Sequence, residues 1–308
     1  MLYMSERQII YTNREQHASG IKIVYKNINI LISNMQLKKL LSKRLWTDSF
    51  TVAISIIAAT ETLMAITDFR IQDIIEIDSW WMKALIIIGV FLSIWTITSY
   101  IKAYRANKEI TLEIRGIKVT IKVGDIFKSS DWKIIPFNEF YDTKVDDIVI
   151  AHNSLNGKFI TQYLSSEEEL HQTLAQAGDI HGLRRRVIGG RSVFPLGRII
   201  TFKDYMLLAF SHFEYNQAKL SHKDYEGCLR TMWKEISRTY ANRPITLPLL
   251  GGGITRFEDI SEKSESHLLR CLLCTLKTSN AQIYQPITIV LTKEAMDNIN
   301  LYEIKKIY

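Results

Sequence analysis

The stretch PITLPLLGGGITRF, residues 244–257, runs an apolar strand straight into three consecutive glycines, then an isoleucine, a threonine and an arginine. Glycine is costly in chain entropy, so such a run points to a tight backbone conformation that other residues resist. One reading is a phosphate cradle, in which bare backbone N–H groups converge on an anion ahead of a helix. The other is an ordinary loop. The segments on either side bear on the choice.

Beyond residue 108, strand-like and helix-like segments alternate. EITLEIRG (109–116), IKVTIKVGDIF (117–127), WKIIPFNEFYD (132–142), SVFPLGRIITF (192–202), YMLLAFSHF (205–213), PITLPLL (244–250) and QPITIVLT (285–292) read as strands. SSEEELHQTLAQAG (165–178), DYEGCLRTMWKEISRTY (224–240), SEKSESHLLRCLLCTLK (261–277) and KEAMDNINLYEIKKI (293–307) read as helices. Serines followed by acids mark several helix starts. This alternation predicts an α/β domain with a mixed or largely parallel central sheet flanked by helices.

Ahead of it lie two apolar runs, FTVAISIIAATETLMAI (50–66) and MKALIIIGVFLSIWTITSYI (82–101). Each approaches the roughly 20 residues that a membrane-spanning helix needs. The connection between them carries Asp68, Asp73, Glu76 and Asp78 against Arg70. The outer flanks carry Lys38, Lys39, Lys43 and Arg44 on one side and Lys102, Arg105 and Lys108 on the other. Basic flanks belong on the cytoplasmic side, so the pattern predicts a two-span hairpin in the inner membrane with both termini in the cytoplasm. Trp46, Trp80, Trp81 and Tyr100 fall where interfacial aromatics belong. Glu61, inside the first span, either lines a pore built from several hairpins or faces a neighbouring helix. Residues 34–46 can form a basic amphipathic helix on the inner leaflet, and no apolar stretch at the amino terminus marks a signal peptide. The resulting organisation is a segment 1–45, a hairpin 46–101 and a cytoplasmic domain 109–308.

The chain has 308 residues, 47% apolar and 23% charged, with a net charge of +7. Much of the basic excess flanks the apolar runs, so a membrane explains it without nucleic acid. Three cysteines, an odd count, fit reduced thiols. Cys271 and Cys274 form a CxxC pair at helical spacing with no second ligand pair, so both are read as core thiols and no metal is expected.

In open α/β sheets, ligands sit at the carboxyl ends of strands. Asp125 follows one strand, and Asn138, Glu139, Asp142 and Thr143 follow another. Asp125 could accept a hydrogen bond from an adenine amino group, or simply make a turn. Asn138 could bond a ribose hydroxyl, or cap a bend. Gly251, Gly252 and Gly253, with Ile254 and Thr255, could hold a diphosphate through backbone N–H groups, with Arg256 adding a charge-assisted contact or standing as a surface charge.

The combination GDIF, IIPFNEFYDTKVDDIVIAHNSLNGKFI, YMLLAFSHF and ITLPLLGGGITRF resembles a macro domain over roughly residues 110–308, and together with the hairpin it is similar to the type II Thoeris antiphage effectors. The resemblance implies that the GD[IL] strand end with Asp125 and Ile126 contacts adenine, that Asn138, with Asp142 and Thr143 beyond it, approaches the distal ribose, and that residues 251–256 wrap the diphosphate. It further implies a TIR-domain partner that consumes NAD and makes an ADP-ribose-type signal, histidine-linked ADP-ribose for this branch. Binding would drive homo-oligomerisation and membrane disruption. The glycine-rich first loop of many macro domains is here EFYDTKVDDIVIAHNSLNGKFI, with Gly157 alone. That departure favours a sensor over an enzyme. The enzymatic alternative is a membrane-anchored ADP-ribosyl hydrolase with Asp142 or Glu139 as general base; His152, His171 and His181 make no catalytic order.

Overall fold

The chain divides into two compact units, Met1–Tyr104 and Arg105–Tyr308. The structure, a computed structural model, describes residues 42–67, 79–106, 108–179, 186–188, 190–253, 255–259 and 264–308. The amphipathic reading before residue 42, the acidic connection at 68–78, His181 and Ile254 lie outside the described residues.

The first unit is built on two long helices, α1 (Lys43–Thr67, 25 residues) and α2 (Trp80–Ala106, 27 residues). At about 1.5 Å per residue each reaches nearly 40 Å. Their hydroxyl side chains fold back on the helix itself: Thr51, Ser55, Thr62, Ser93 and Ser99 each donate to the carbonyl four residues earlier. That leaves these polar groups satisfied without outside partners. The helices meet through Trp46, Phe50, Phe91 and Trp95. Trp46 and Trp95 lie edge to face at 5.0 Å, and Trp95 Nε1 donates to Trp46 O at 2.9 Å. Lys102 Nζ donates to Asp48 O at 2.8 Å. Elsewhere large apolar side chains stay exposed, among them Leu63, Ile66, Leu85, Ile87 and Ile97.

In the second unit the strands are β1 (Glu109–Ile114), β2 (Ile117–Val123), β3 (Trp132–Asn138), β6 (Ile199–Phe202), β7 (Tyr205–Glu214), β8 (Gln217–Leu220), β9 (Ile245–Pro248), β10 (Arg256–Phe257) and β11 (Ile287–Leu291). They form one mixed sheet in the order β1-β2-β11-β9-β3-β7-β8-β10, with β6 paired to β7. β2, β11, β9, β3 and β7 run parallel to one another; β1 is antiparallel to β2, β6 and β8 are antiparallel to β7, and β10 is parallel to β8. A separate hairpin joins β4 (Arg186–Ile188) to β5 (Arg191–Val193).

Period-two alternation sorts the strand side chains onto two faces. Ile134, Met206, Leu208, Leu247 and Ile289 face the larger core, which is closed by α5 (His222–Thr239), α6 (Glu265–Thr278), α7 (Lys293–Asn298) and α8 (Leu301–Ile307). Ile135, Phe137, Leu207 and Ala209 face the smaller one, with Phe159 and with Leu170 and Leu174 of α4 (Glu167–Asp179). Two buried layers explain why β3 and β7 read as nearly continuous apolar runs.

Three local readings need correction. The run 192–202 is two strands, because Gly197 turns at φ +85° where a Cβ would stand 2.5 Å from Cys228 O. The final helix is two, since Asn300 leaves helical geometry and its side chain caps the second by accepting from Glu303 N. Of the CxxC pair, Cys271 is buried but Cys274 is exposed, one step round the α6 face from the core.

Candidate functional site

Five parallel strands end at the same edge, and their order there sets the site. Asp125 follows β2, the glycine run follows β9, Asn138 ends β3, and His212 lies near the end of β7. With strands ~4.8 Å apart, the three steps from β2 to β3 span ~14 Å.

At the β2 end, Asp125 caps a short 3₁₀ turn, Ile126–Lys128, its Oδ1 accepting from Phe127 N at 3.1 Å. The residue is otherwise exposed, whereas Ile126 is buried in the smaller core. Phe127 stacks on Tyr163 with ring centroids 4.1 Å apart and planes 5° from parallel. Tyr163 closes a π-helical turn, Phe159–Tyr163, that follows α3 (Leu155–Lys158). Gly157 sits in α3 beneath Ser154, whose Oγ accepts its N–H at 3.1 Å; a Cβ there would lie 2.2 Å from Ala151 O. Gly157 therefore permits a close backbone approach.

At the β9 end, Gly251 takes φ +81°, and Gly252 N donates to Leu249 O at 3.2 Å, closing a tight turn. Gly253 is exposed. The chain then reaches β10 at Arg256, which pairs with β8 on the far side of β3 and β7. Eight residues from Pro248 to Arg256 reach at most about 28 Å, enough for the four strand steps of ~19 Å. The glycine segment thus links the end of β9 to the far edge of the sheet. It is anchored there by Glu258 N on Leu220 O at 3.2 Å and by both Asp259 carboxylate oxygens accepting from His222 N at 2.9 Å. Thr255 is half-buried. Arg256 is exposed and donates to Gln217 Oε1 at 3.2 Å, beside the β10–β8 pairing at the edge of the sheet.

At the β3 end, the pairing with β7 shifts register: Phe137 faces Ala209 but Asn138 faces Ser211. This bulge places Phe210 as the extra residue, a device that re-aims side chains beside sites. The Asn138 side chain is nearly buried and committed locally: Oδ1 accepts from Phe140 N at 3.1 Å and Asp142 N at 3.2 Å, and Nδ2 donates to Asp142 Oδ2 at 2.8 Å. Asp142 Oδ1 in turn accepts from Arg191, whose guanidinium lies 4.1 Å over the Phe140 ring. Thr143 donates to Glu167.

Glu139, next in the chain, is buried. Its Oε2 meets His212 Nδ1 at 2.8 Å and its Oε1 accepts from Phe213 N at 3.3 Å. The hydrogen bond that the ring donates to Glu139 holds the His212 imidazole above its ordinary pKa despite partial burial. Below, the Tyr141 hydroxyl donates to Arg198 O at 2.9 Å and accepts from Ala209 N at 3.1 Å, and burial drives its pKa far up.

Arg191 and His212 were not singled out by sequence reasoning. A signal for the second exists: Ser211 and His212 are polar residues closing an otherwise apolar strand. Arg191 reaches the site from a hairpin that nothing local connects to residues 138–142. Among the described residues no group of three His, Cys, Asp or Glu side chains is placed to hold a metal ion. Burial pushes the Cys271 thiol up to about 11, which keeps it protonated.

The family profile described as "Thoeris protein ThsA, Macro domain" matches residues 119–292. A relative, "Thoeris protein ThsA" of Bacillus amyloliquefaciens (strain Y2), is 36% identical over 233 residues, covering 72% of this chain and 77% of that protein. Two solved structures of the Oceanobacillus iheyensis macrodomain align more distantly. The one with MES bound gives a TM-score of 0.42 at 14% identity, covering 65% of this chain and 97% of that one. The one with ADP gives 0.41 at 14% identity, covering 65% and 95%.

Proposed function

The chain belongs to the family of the Thoeris protein ThsA macro domain, and from that membership we propose that it is a membrane-anchored antiphage effector of the type II branch whose macro unit senses an ADP-ribose-type signal. The signal is histidine-linked ADP-ribose, supplied by a TIR-domain partner that consumes NAD.

The observation that carries the ligand is the order of groups along the sheet edge. Adenine, diphosphate and distal ribose follow one another in ADP-ribose, and Asp125, the glycine turn and Asn138 follow one another across β2, β9 and β3. The exposed Asp125 carboxylate suits the adenine amino group. A glycine turn lets backbone approach a diphosphate closely. Binding without turnover is favoured by the structural work these carboxylates already do: both Asp142 oxygens and both Glu139 oxygens accept hydrogen bonds that hold the β3 end, Arg191 and His212 in place.

The first unit supplies the membrane end. Helices of 25 and 27 residues exceed the ~30 Å hydrocarbon core. Their exposed leucines and isoleucines suit lipid. Lys43 and Arg44 begin α1, and Lys102 and Arg105 lie near the end of α2, and this basic bias supports a cytoplasmic side for both ends of the hairpin. One hairpin cannot enclose a pore, so permeabilisation needs several copies, and the ligand must bind the assembled state more tightly than the single chain.

The test is dye release from liposomes carrying the full chain. Leakage on adding histidine-linked ADP-ribose, with clustering of the protein, is expected. Ligand-saturated protein that neither clusters nor leaks would sink the effector reading.

A further inference from the structure

The strand that lies beyond β3 on the sheet edge is β7, and the side chain it brings to that end is His212. If the distal ribose lies at the β3 end, whatever that ribose carries next extends toward β7. The inference below rests on the proposed ligand reading.

His212 is a positioned group. Its Nδ1 is fixed at 2.8 Å by Glu139 Oε2, which leaves Nε2 for a ligand, and its side chain is 41% exposed while that of Glu139 is 9% exposed. Glu139 is itself anchored on every side: its backbone N donates to Ser211 O at 2.8 Å, its backbone O accepts from Phe194 N at 2.9 Å, and Oε1 accepts from Phe213 N. A carboxylate in that position selects the tautomer with hydrogen on Nδ1, in which Nε2 accepts, and favours the doubly protonated ring, the form in which Nε2 donates. The bulge at Asn138 sets the register of this pair. The charges around the ring are Glu139 just after β3, Glu214 on its own strand, Asp224 from α5, and Lys219 directly across the β7–β8 ladder, itself paired to Glu258 at 3.2 Å.

We propose that His212, oriented by Glu139, is a specificity-determining residue that donates from Nε2 to an anionic oxygen, a carboxylate, on the substituent of the distal ribose. A cationic substituent would meet an imidazolium, and a bare ribose would leave the donor to water. The raised pKa of His212 supports the same assignment, because the ring is more fully protonated near neutral pH.

Calorimetry on the full chain in detergent tests it with three probes: ADP-ribose, histidine-linked ADP-ribose, and the histidinamide counterpart in which the carboxylate becomes a carboxamide. At about pH 6.5, a charge-assisted hydrogen bond should make the acid bind about tenfold or more tightly than the amide. His212→Gln, which removes the positive charge, should cut that preference, with the acid losing more affinity than ADP-ribose does and the circular dichroism spectrum certifying the fold of the variant. Glu139→Gln keeps a hydrogen bond to the ring but removes the charge. It should shift the loss of acid binding to lower pH, an effect that a purely structural role would not produce. Equal binding of acid and amide to the parent protein overturns the inference. So does a His212→Gln protein that loses ADP-ribose as severely as the acid, since the imidazole would then serve the diphosphate. Failure of all three probes to bind the parent would bring down the ligand reading itself.

Discussion

Replacing Gly251 by alanine places a Cβ on the residue of the glycine run that stands at φ +81°. That Cβ would lie 3.2 Å from Phe257 Cζ and 3.4 Å from Leu268 Cδ2, so the ring must give by a few tenths of an ångström. The left-handed backbone costs alanine about 1–2 kcal/mol, of which a stiffer unfolded chain returns about 0.5. The net loss of about 1 kcal/mol corresponds to a fall in Tm of about 2–4 °C for a domain of this size. Gly253 is the control, because nothing lies within 4 Å of its added Cβ and its φ is not positive. Gly253→Ala should stay within about 0.5 kcal/mol of the parent. Affinity should separate the two further. A relaxed turn at 251 misplaces at least one N–H aimed at the diphosphate, a loss of about tenfold or more. Thermal unfolding in detergent and titration with ADP-ribose read the two quantities side by side. If Gly251→Ala and Gly253→Ala behave alike in both, the positive-φ turn does not shape the cradle.

Other perturbations follow from the same geometry. Gly252→Glu, whose Cβ would already stand 3.2 Å from Leu249 O, sets a carboxylate where the diphosphate should lie; ADP-ribose binding should vanish while the circular dichroism spectrum persists, and retained affinity would count against the cradle. Gly157→Ala pushes a Cβ to 2.2 Å from Ala151 O, and should lower stability by about 2 kcal/mol or more, measured as a shift in the urea midpoint. The folded pKa of His212 lies above its unfolded value through the Glu139 hydrogen bond. Its contribution to stability is therefore fully present below the ordinary histidine pKa of about 6.5 and is lost as pH rises through the raised folded value. Urea midpoints across that window should fall with rising pH, and fall less in His212→Gln.

The fold was legible where pattern is local. Ile134 and Ile135, or Leu207 and Leu208, alternate between two cores, and an apolar run flanked by helices on both faces reads as an inner parallel strand. Gly197 and Asn300 were harder. Each ends an element through a backbone geometry that apolar pattern does not report: a turn packed against α5 and a helix cap. The chain order of Asp125, Asn138 and the glycines pointed to the strand ends, but their order in space comes from β11 and β9 inserting between β2 and β3. Arg191, His212 and the far-edge position of Arg256 depend on such long-range pairing. The ring of residues around Asn138 shows the limit plainly. The side chain read as a ribose contact also holds the 138–142 bend through Phe140 N and Asp142 N, two bonds that sequence offers only as an alternative.

The measurement to make is calorimetric titration of the full chain in lipid nanodiscs with ADP-ribose and with histidine-linked ADP-ribose, followed by chromatography of the recovered ligand. Saturable binding is expected, tighter for the histidine-linked form, with every ligand molecule recovered intact. No heat from either ligand, or recovery of cleaved product, would contradict a sensor at this sheet edge.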